Sequence, residues 1–172
     1  MIAEAGAVPP LVALLQNGDE GAKEIAARTL WTLADGNDSN KDSIVKAGAI
    51  PPLVALLQNG TDKAKEHAAG ALWVLSMFNL KNKVSIVKAG AIAPLVALLQ
   101  NGTDLAKEHA AGALCDLASD GFNTVSIAKA GAIPPLVALL QNGTHKAKKN
   151  AKNALFSLSF PVECESEEDC ND

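Results

Sequence analysis

From residue 62 to residue 76 the apolar positions Ala64, Ala68, Ala71, Leu72 and Leu75 recur at steps of three and four, with Lys65, Glu66 and His67 off the stripe. At 3.6 residues per turn that spacing returns the apolar side chains to one face, so it predicts an amphipathic helix. Thr61 stands where a hydroxyl can cap the first turn, and Asp62 suits the positive end of the helix dipole. Just upstream, Leu53, Val54, Leu56 and Leu57 form a shorter apolar run, opened by Pro51-Pro52 and closed by Asn59-Gly60. Proline fits only the opening turn of a helix, so this run predicts a second, short helix. Another short helix is predicted through Ile44, Val45 and Lys46, capped by Ser39 and ended by Gly48 in a left-handed conformation.

The order short, short, long recurs along the chain. AGA followed by a proline-bearing LVALLQNG occurs four times, with glycines at Gly6, Gly48, Gly90 and Gly131, at intervals of 42, 42 and 41 residues. That period is too long for units of about 33 or 34 residues and fits three-helix units of about 40–47. The segment KAGAIPPLVALLQNGTDKAKEHAAGALWVLS closely resembles the armadillo repeat family. The resemblance implies an all-α, right-handed solenoid of about four three-helix repeats, spanning 1–37, 38–79, 80–121 and 122–160. The first is truncated, since only Met1 to Ala5 stand where its first helix would lie. Units two and three are nearly identical from Ile44 to Leu72 and from Ile86 to Leu114, the mark of recent duplication or of consensus engineering. Replacements such as Ala93 and Cys115 favour duplication.

Composition narrows the core. Hydrophobic types make up 48% of the chain but aromatic types only 3%, so the interior must be built from Ala and Leu, which suits packed helices. Residues 1–160 carry fifteen Lys and Arg against thirteen Asp and Glu, whereas residues 161–172 carry six acids and no base. A near-neutral body gives no clustered basic patch for phosphates, which disfavours nucleic acid as a partner. The absence of a long apolar stretch disfavours a membrane, and Met1 to Gly6 show no secretory pattern, so a cytoplasmic or nuclear setting is expected. Cys115, Cys164 and Cys170 are too few for a disulfide framework and read as reduced thiols. Nucleophile, base and orienting acid do not recur together, and no phosphate loop or metal-ligand cluster is visible, so neither catalysis nor a cofactor is expected.

Resemblance to armadillo proteins places function on the third helices, which line a concave groove for a protein or an extended peptide. Importin-alpha and beta-catenin types carry an asparagine ladder there, at positions read in this chain as Thr32, Val74, Asp116 and Ser157. Importin-like members place a tryptophan one turn earlier, read here as Arg28, Gly70, Gly112 and Asn153. Both ladders are missing at these positions, so clamping of a nuclear-localisation peptide is not expected. The candidate groove is then Glu24, Arg28 and Thr32; Lys63, His67, Gly70 and Val74; Leu105, His109, Gly112 and Asp116; and Lys146, Lys149, Asn153 and Ser157.

Several of these positions admit two readings. Gly70 and Gly112 either let a partner approach the backbone or let neighbouring third helices pack closely. Trp31 and Trp73, continued by Cys115 and Phe156, form either inter-repeat core or, less readily, a stacking platform. His67 and His109, one unit apart, are about 10 Å from each other, too far to share a zinc ion. They read as solvated groove residues, with a pH-sensitive contact to an acidic partner as the sharper alternative. Asn-Gly-Thr at Asn59, Asn101 and Asn142 is explained by a helix stop followed by a helix cap rather than by glycosylation. Lys149, Asn150, Lys152 and Asn153 stand where unit two has Glu66, His67, Ala69 and Gly70, and read as a C-terminal cap. The acidic tail is a solvating extension or a ligand for Lys146, Lys148, Lys149 and Lys152. Self-association through the N-terminal end, by head-to-tail continuation of the solenoid, is the first rival to partner binding, and an engineered or excised repeat scaffold without a native ligand is the second.

Overall fold

The computed structural model describes residues 6–159. Among them are eleven helices and no strand: α1 Val8–Asn17, α2 Glu20–Ala34, α3 Asp38–Lys46, α4 Ile50–Asn59, α5 Asp62–Ser76, α6 Leu80–Lys88, α7 Ile92–Asn101, α8 Asp104–Ala118, α9 Gly121–Lys129, α10 Ile133–Asn142 and α11 His145–Ser159. They fall into three rows. First helices α3, α6 and α9 are nine residues long, second helices α1, α4, α7 and α10 ten, and third helices α2, α5, α8 and α11 fifteen. Each third helix packs on the next, and each second helix on the third helix of its own repeat. The expected first helix of repeat one falls on residues outside the described range.

The turns follow local chemistry. Gly48 takes φ +81°, which only glycine adopts without strain. The Ala49 and Gly48 N–H groups then donate to Ile44 and Val45 carbonyls at 3.3 and 2.9 Å, closing α3 in a Schellman motif. The same turn between α6 and α7 sets those helices at 81°, and the one between α9 and α10 sets its pair at 87°. Prolines occupy the opening turns of α1, α4 and α10. Thr61, Thr103 and Thr144 accept the N–H of Ala64, Ala106 and Ala147 at 3.1 Å, so the Asn-Gly-Thr triplets are helix stop and helix cap.

The cap of α3 differs from expectation. Asn37, and not Ser39, accepts the Asn40 N–H at 3.0 Å, and Asn79 does the same for Asn82 in the next repeat. Ser39 lies one residue inside the helix. The amide side chains of Asn40, Asn82 and Asn123 reach back to the Leu33, Leu75 and Leu117 carbonyls at 2.7, 2.9 and 3.1 Å. Each bonds a carbonyl in the last turns of the preceding third helix, where intrahelical donors run out. This asparagine column holds each first helix to the third helix before it.

One continuous core of Ala, Leu, Ile and Val runs through all repeats, with Leu30, Leu72 and Leu114 fully buried at matching positions. Small alanines let the third helices approach side by side, and the leucines fill the space between them and the second helices. Among the described residues no single helix is long and apolar enough to cross a membrane.

Candidate functional site

Third helices present a narrow exposed face because most of their surface is consumed by packing. Glu66, His67, Gly70 and Val74 on α5 are all buried, as are Glu108, His109 and Gly112 on α8. The amphipathic pattern left Glu66 and His67 outside the apolar stripe of their own helix. They are nevertheless buried, because the neighbouring repeats cover that flank.

Tryptophans do the covering. A Cβ placed on Gly70 would stand 3.0 Å from the Trp31 ring carbons, and one on Gly112 only 2.4 Å from Trp73 Cε2. Each glycine is therefore the seat of the previous repeat's indole, which decides for close inter-repeat packing over partner approach. The next repeat swaps sizes at the same pair of positions, with half-buried Cys115 on one helix and Asn153 on the other. The tryptophan-ladder positions Arg28, Gly70, Gly112 and Asn153 hold no tryptophan, and Trp31 and Trp73 from the preceding repeats lie over Gly70 and Gly112.

Imidazoles complete the row. The Trp31 ring lies 6.2 Å from His67 and 4.7 Å from His109, edge-on to the latter, and Trp73 lies 5.9 Å from His109, all centroid to centroid. Such offset and edge contacts suit aromatic quadrupoles. The His109 Nδ1–H donates to the Glu66 carbonyl at 3.0 Å, and Asn150 Nδ2 donates to the Glu108 carbonyl at 3.1 Å in the next interface. Asn150 is thus a joint between repeats and not part of a solvated cap. His67 holds the same position, yet its buried Nδ1 has no hydrogen-bond partner.

Neither histidine is solvated: they are 9% and 3% exposed. Burial pushes both imidazoles below their ordinary pKa of 6.5; for His109 the backbone bond to Glu66 and the Glu108 charge oppose it. A lowered value favours the neutral ring in the folded state. As pH falls through 6.5 the unfolded chain takes up protons first, so stability is complete above that value and declines below it. Thermal unfolding followed from pH 7.5 to 5.5 is expected to show this loss. His67→Asn combined with His109→Asn, which installs the Asn150 side chain at both positions, is expected to flatten the profile there.

Glutamates clasp successive repeats. Thr61, Thr103 and Thr144 hydroxyls donate to Glu24, Glu66 and Glu108 carboxylates at 3.2, 2.8 and 2.8 Å. Burial raises the Glu66 carboxyl, but hydrogen bonds from Lys63 and Thr103 outweigh it and hold the pKa below 4.5. Lys63 and Lys146 reach Glu66 and Glu108 at 3.0 and 3.7 Å.

What remains open to a partner differs from the sequence list. Lys63, Leu105, Lys146, Lys149 and Asn153 are exposed, Glu24, Asp116 and Ser157 are half-buried, and Arg28 and Thr32 face solvent on the N-terminal end of the stack. Burial raises the Asp116 carboxyl, opposed by Lys83 and by hydrogen bonds from Trp73 and Ser76. Burial also lifts the Cys115 thiol to about 11, so it is protonated at neutral pH and a poor nucleophile. Three equivalent niches of about 220, 350 and 390 Å³ are lined by the second helix and the start of the third helix of one repeat together with the second helix of the next. Among the described residues no three His, Cys, Asp or Glu side chains could hold a metal ion. The acidic tail, expected as an extension or as a ligand for the lysines, lies outside the described residues.

The model of the Armadillo/beta-catenin-like repeat matches residues 1–35, 37–77 and 79–119. The chain belongs to this armadillo repeat family. Among solved structures, a designed armadillo repeat protein in complex with the peptide (KR)4 is 30% identical with a TM-score of 0.82, covering 91% of this chain. Computationally designed armadillo repeat proteins for modular peptide recognition are also 30% identical, with a TM-score of 0.82 over 90% of this chain. An engineered protein reaches 33% identity and a TM-score of 0.84 over 91% of it. The armadillo chain spans 66%, 66% and 65% of those three structures respectively. No curated protein matches it.

Proposed function

We propose that this armadillo chain is a non-catalytic scaffold that binds an extended peptide, or an extended segment of a partner protein, across its third helices. The observation that carries this reading is the half-exposed pair Trp31 and Trp73, held by Gly70 and Gly112 on adjacent third helices. Rigid indoles offer contact area at low entropic cost, and Lys63, Leu105 and Asp116 on the same row of third helices supply charge and apolar contact. The two designed relatives named for a bound peptide and for peptide recognition support the same class of partner. A cytoplasmic or nuclear setting belongs to this reading, in keeping with three cysteines that are too few for a disulfide framework.

Selection from an unbiased displayed-peptide library tests it, with oligomeric state monitored in the same preparation. Enrichment of one peptide class is expected, with affinity reduced about tenfold by Trp31→Ala and by Asp116→Asn. A well-folded monomer that enriches no peptide would overturn the reading.

A further inference from the structure

The turn from α5 to α6 carries a residue that folding does not call for. Phe78 is 96% exposed and takes φ +59°, a left-handed conformation that is strained for a bulky side chain. Gly36, at the same place between α2 and α3, takes φ +67° without strain. The turn from α8 to α9 is one residue shorter and omits the position. The solenoid thus makes this turn elsewhere with a glycine or with no residue at all. A strained backbone carrying an exposed aromatic ring works against the free chain, so the outlier points to a contact that the ring makes with another molecule.

The helix that follows extends this surface. Leu80, Val84 and Lys88 recur at steps of four along α6 and form one ridge, with Lys81 beside it. Leu80 and Val84 are 61% and 38% exposed, whereas α3 has Asp38 and Asp42 at their positions. This helix bears Lys81, Lys83 and Lys88 and no acid. Lys83 donates to Ser119 Oγ at 2.6 Å, but Lys81 and Lys88 are exposed and make no ion pair among the described residues. The repeats on both sides have described first helices, α3 and α9, so the exposure of this ridge is not set by the ends of the chain.

We propose that the Phe78 turn and the exposed ridge of α6 dock an acidic amphipathic helix of a partner protein. A row of side chains at steps of four is the ridge that fits the groove of another helix. Phe78 and Leu80 form the apolar end of the contact, where a rigid ring buried by the partner returns the most energy. Lys81 and Lys88 flank it and pair with carboxylates on the incoming helix. The same ridge of a second copy would set lysine against lysine, so charge selects a partner of opposite sign. This face belongs to the row of first helices, and the proposal does not rest on peptide binding across the third helices.

Selection on the full chain from a displayed library of helix-forming peptides tests this. Peptides with apolar and acidic residues on one face are expected to be enriched. Phe78→Gly, which copies Gly36, is expected to weaken them about tenfold or more and at the same time to raise the urea midpoint of the chain. Those opposite signs separate a lost contact from a lost fold. Peptides held by the third helices do not pass through Phe78 and are indifferent to this substitution. Leu80→Asp with Val84→Asp, which copies α3, is expected to abolish binding, and Lys88→Glu to weaken it and remove its dependence on salt. A library that yields no peptide sensitive to Phe78→Gly would overturn the proposal, as would enrichment of basic peptides or a urea midpoint lowered by Phe78→Gly. Flotation of the chain with vesicles of equal parts phosphatidylcholine and phosphatidylserine, lost on Phe78→Gly, in place of peptide binding would also overturn it, because the patch would then be a membrane contact.

Discussion

Gly112→Asn is expected to destabilise the armadillo chain by about 2–3 kcal/mol, and adding Trp73→Cys to recover most of that loss. Three Trp73 ring carbons lie 2.4–2.8 Å from where a Cβ on residue 112 would stand, so the larger side chain must evict the indole. A rigid ring wedged between helices cannot yield as the tip of a lysine could. Trp73→Cys alone is expected to cost about 2–3 kcal/mol, less than the roughly 3–5 of a fully buried aromatic, because this indole is half-exposed. The double variant reproduces the Cys115 and Asn153 pair that the next interface already uses. Urea denaturation of the four proteins gives the coupling directly. Losses that simply add would mean that the two positions do not share one seat.

That pairing shows where sequence reading succeeds and where it stops. Repeat length, the left-handed Gly48 and the Thr61 cap are local, each set by a few adjacent residues, and all were legible from the chain alone. The burial of His67 and Glu66 was not, because their covering comes from residues some forty positions away on another helix. A single-helix pattern counts them as polar and exposed. The missed signal was a correlation between repeats: Trp31 and Trp73 each precede a unit that has glycine at the receiving position, whereas Cys115 precedes one with asparagine. Asn40, Asn82 and Asn123 carried a second signal, recurring with the period of the glycines. The misplaced Ser39 cap is a smaller error of the same family, since Asn37 and Ser39 are both good caps and only backbone geometry chooses between them.

The four copies of one leucine make the sharpest test of how the stack shares its stability. Leu14, Leu56, Leu98 and Leu139 occupy the same position of the second helix and are 43%, 6%, 6% and 6% exposed. Leu56→Ala and Leu98→Ala are each expected to cost about 2–5 kcal/mol, since each opens a cavity between two repeats that cannot collapse without moving a helix. Leu14→Ala is expected to cost under about 1 kcal/mol, because solvent already occupies much of the space around that side chain. Leu139 is as buried as the central pair, but its repeat has a neighbour on one side only within the described chain. In a stack held together by nearest-neighbour contacts, a terminal repeat can open without the rest. Leu139→Ala is therefore expected to appear in urea as a separate early transition of α10 and α11, with the main transition nearly unmoved. Hydrogen exchange resolved by helix distinguishes this from a global loss. Equal protection losses in all four repeats would mean that the array unfolds as one unit and that its ends are as tightly held as its centre.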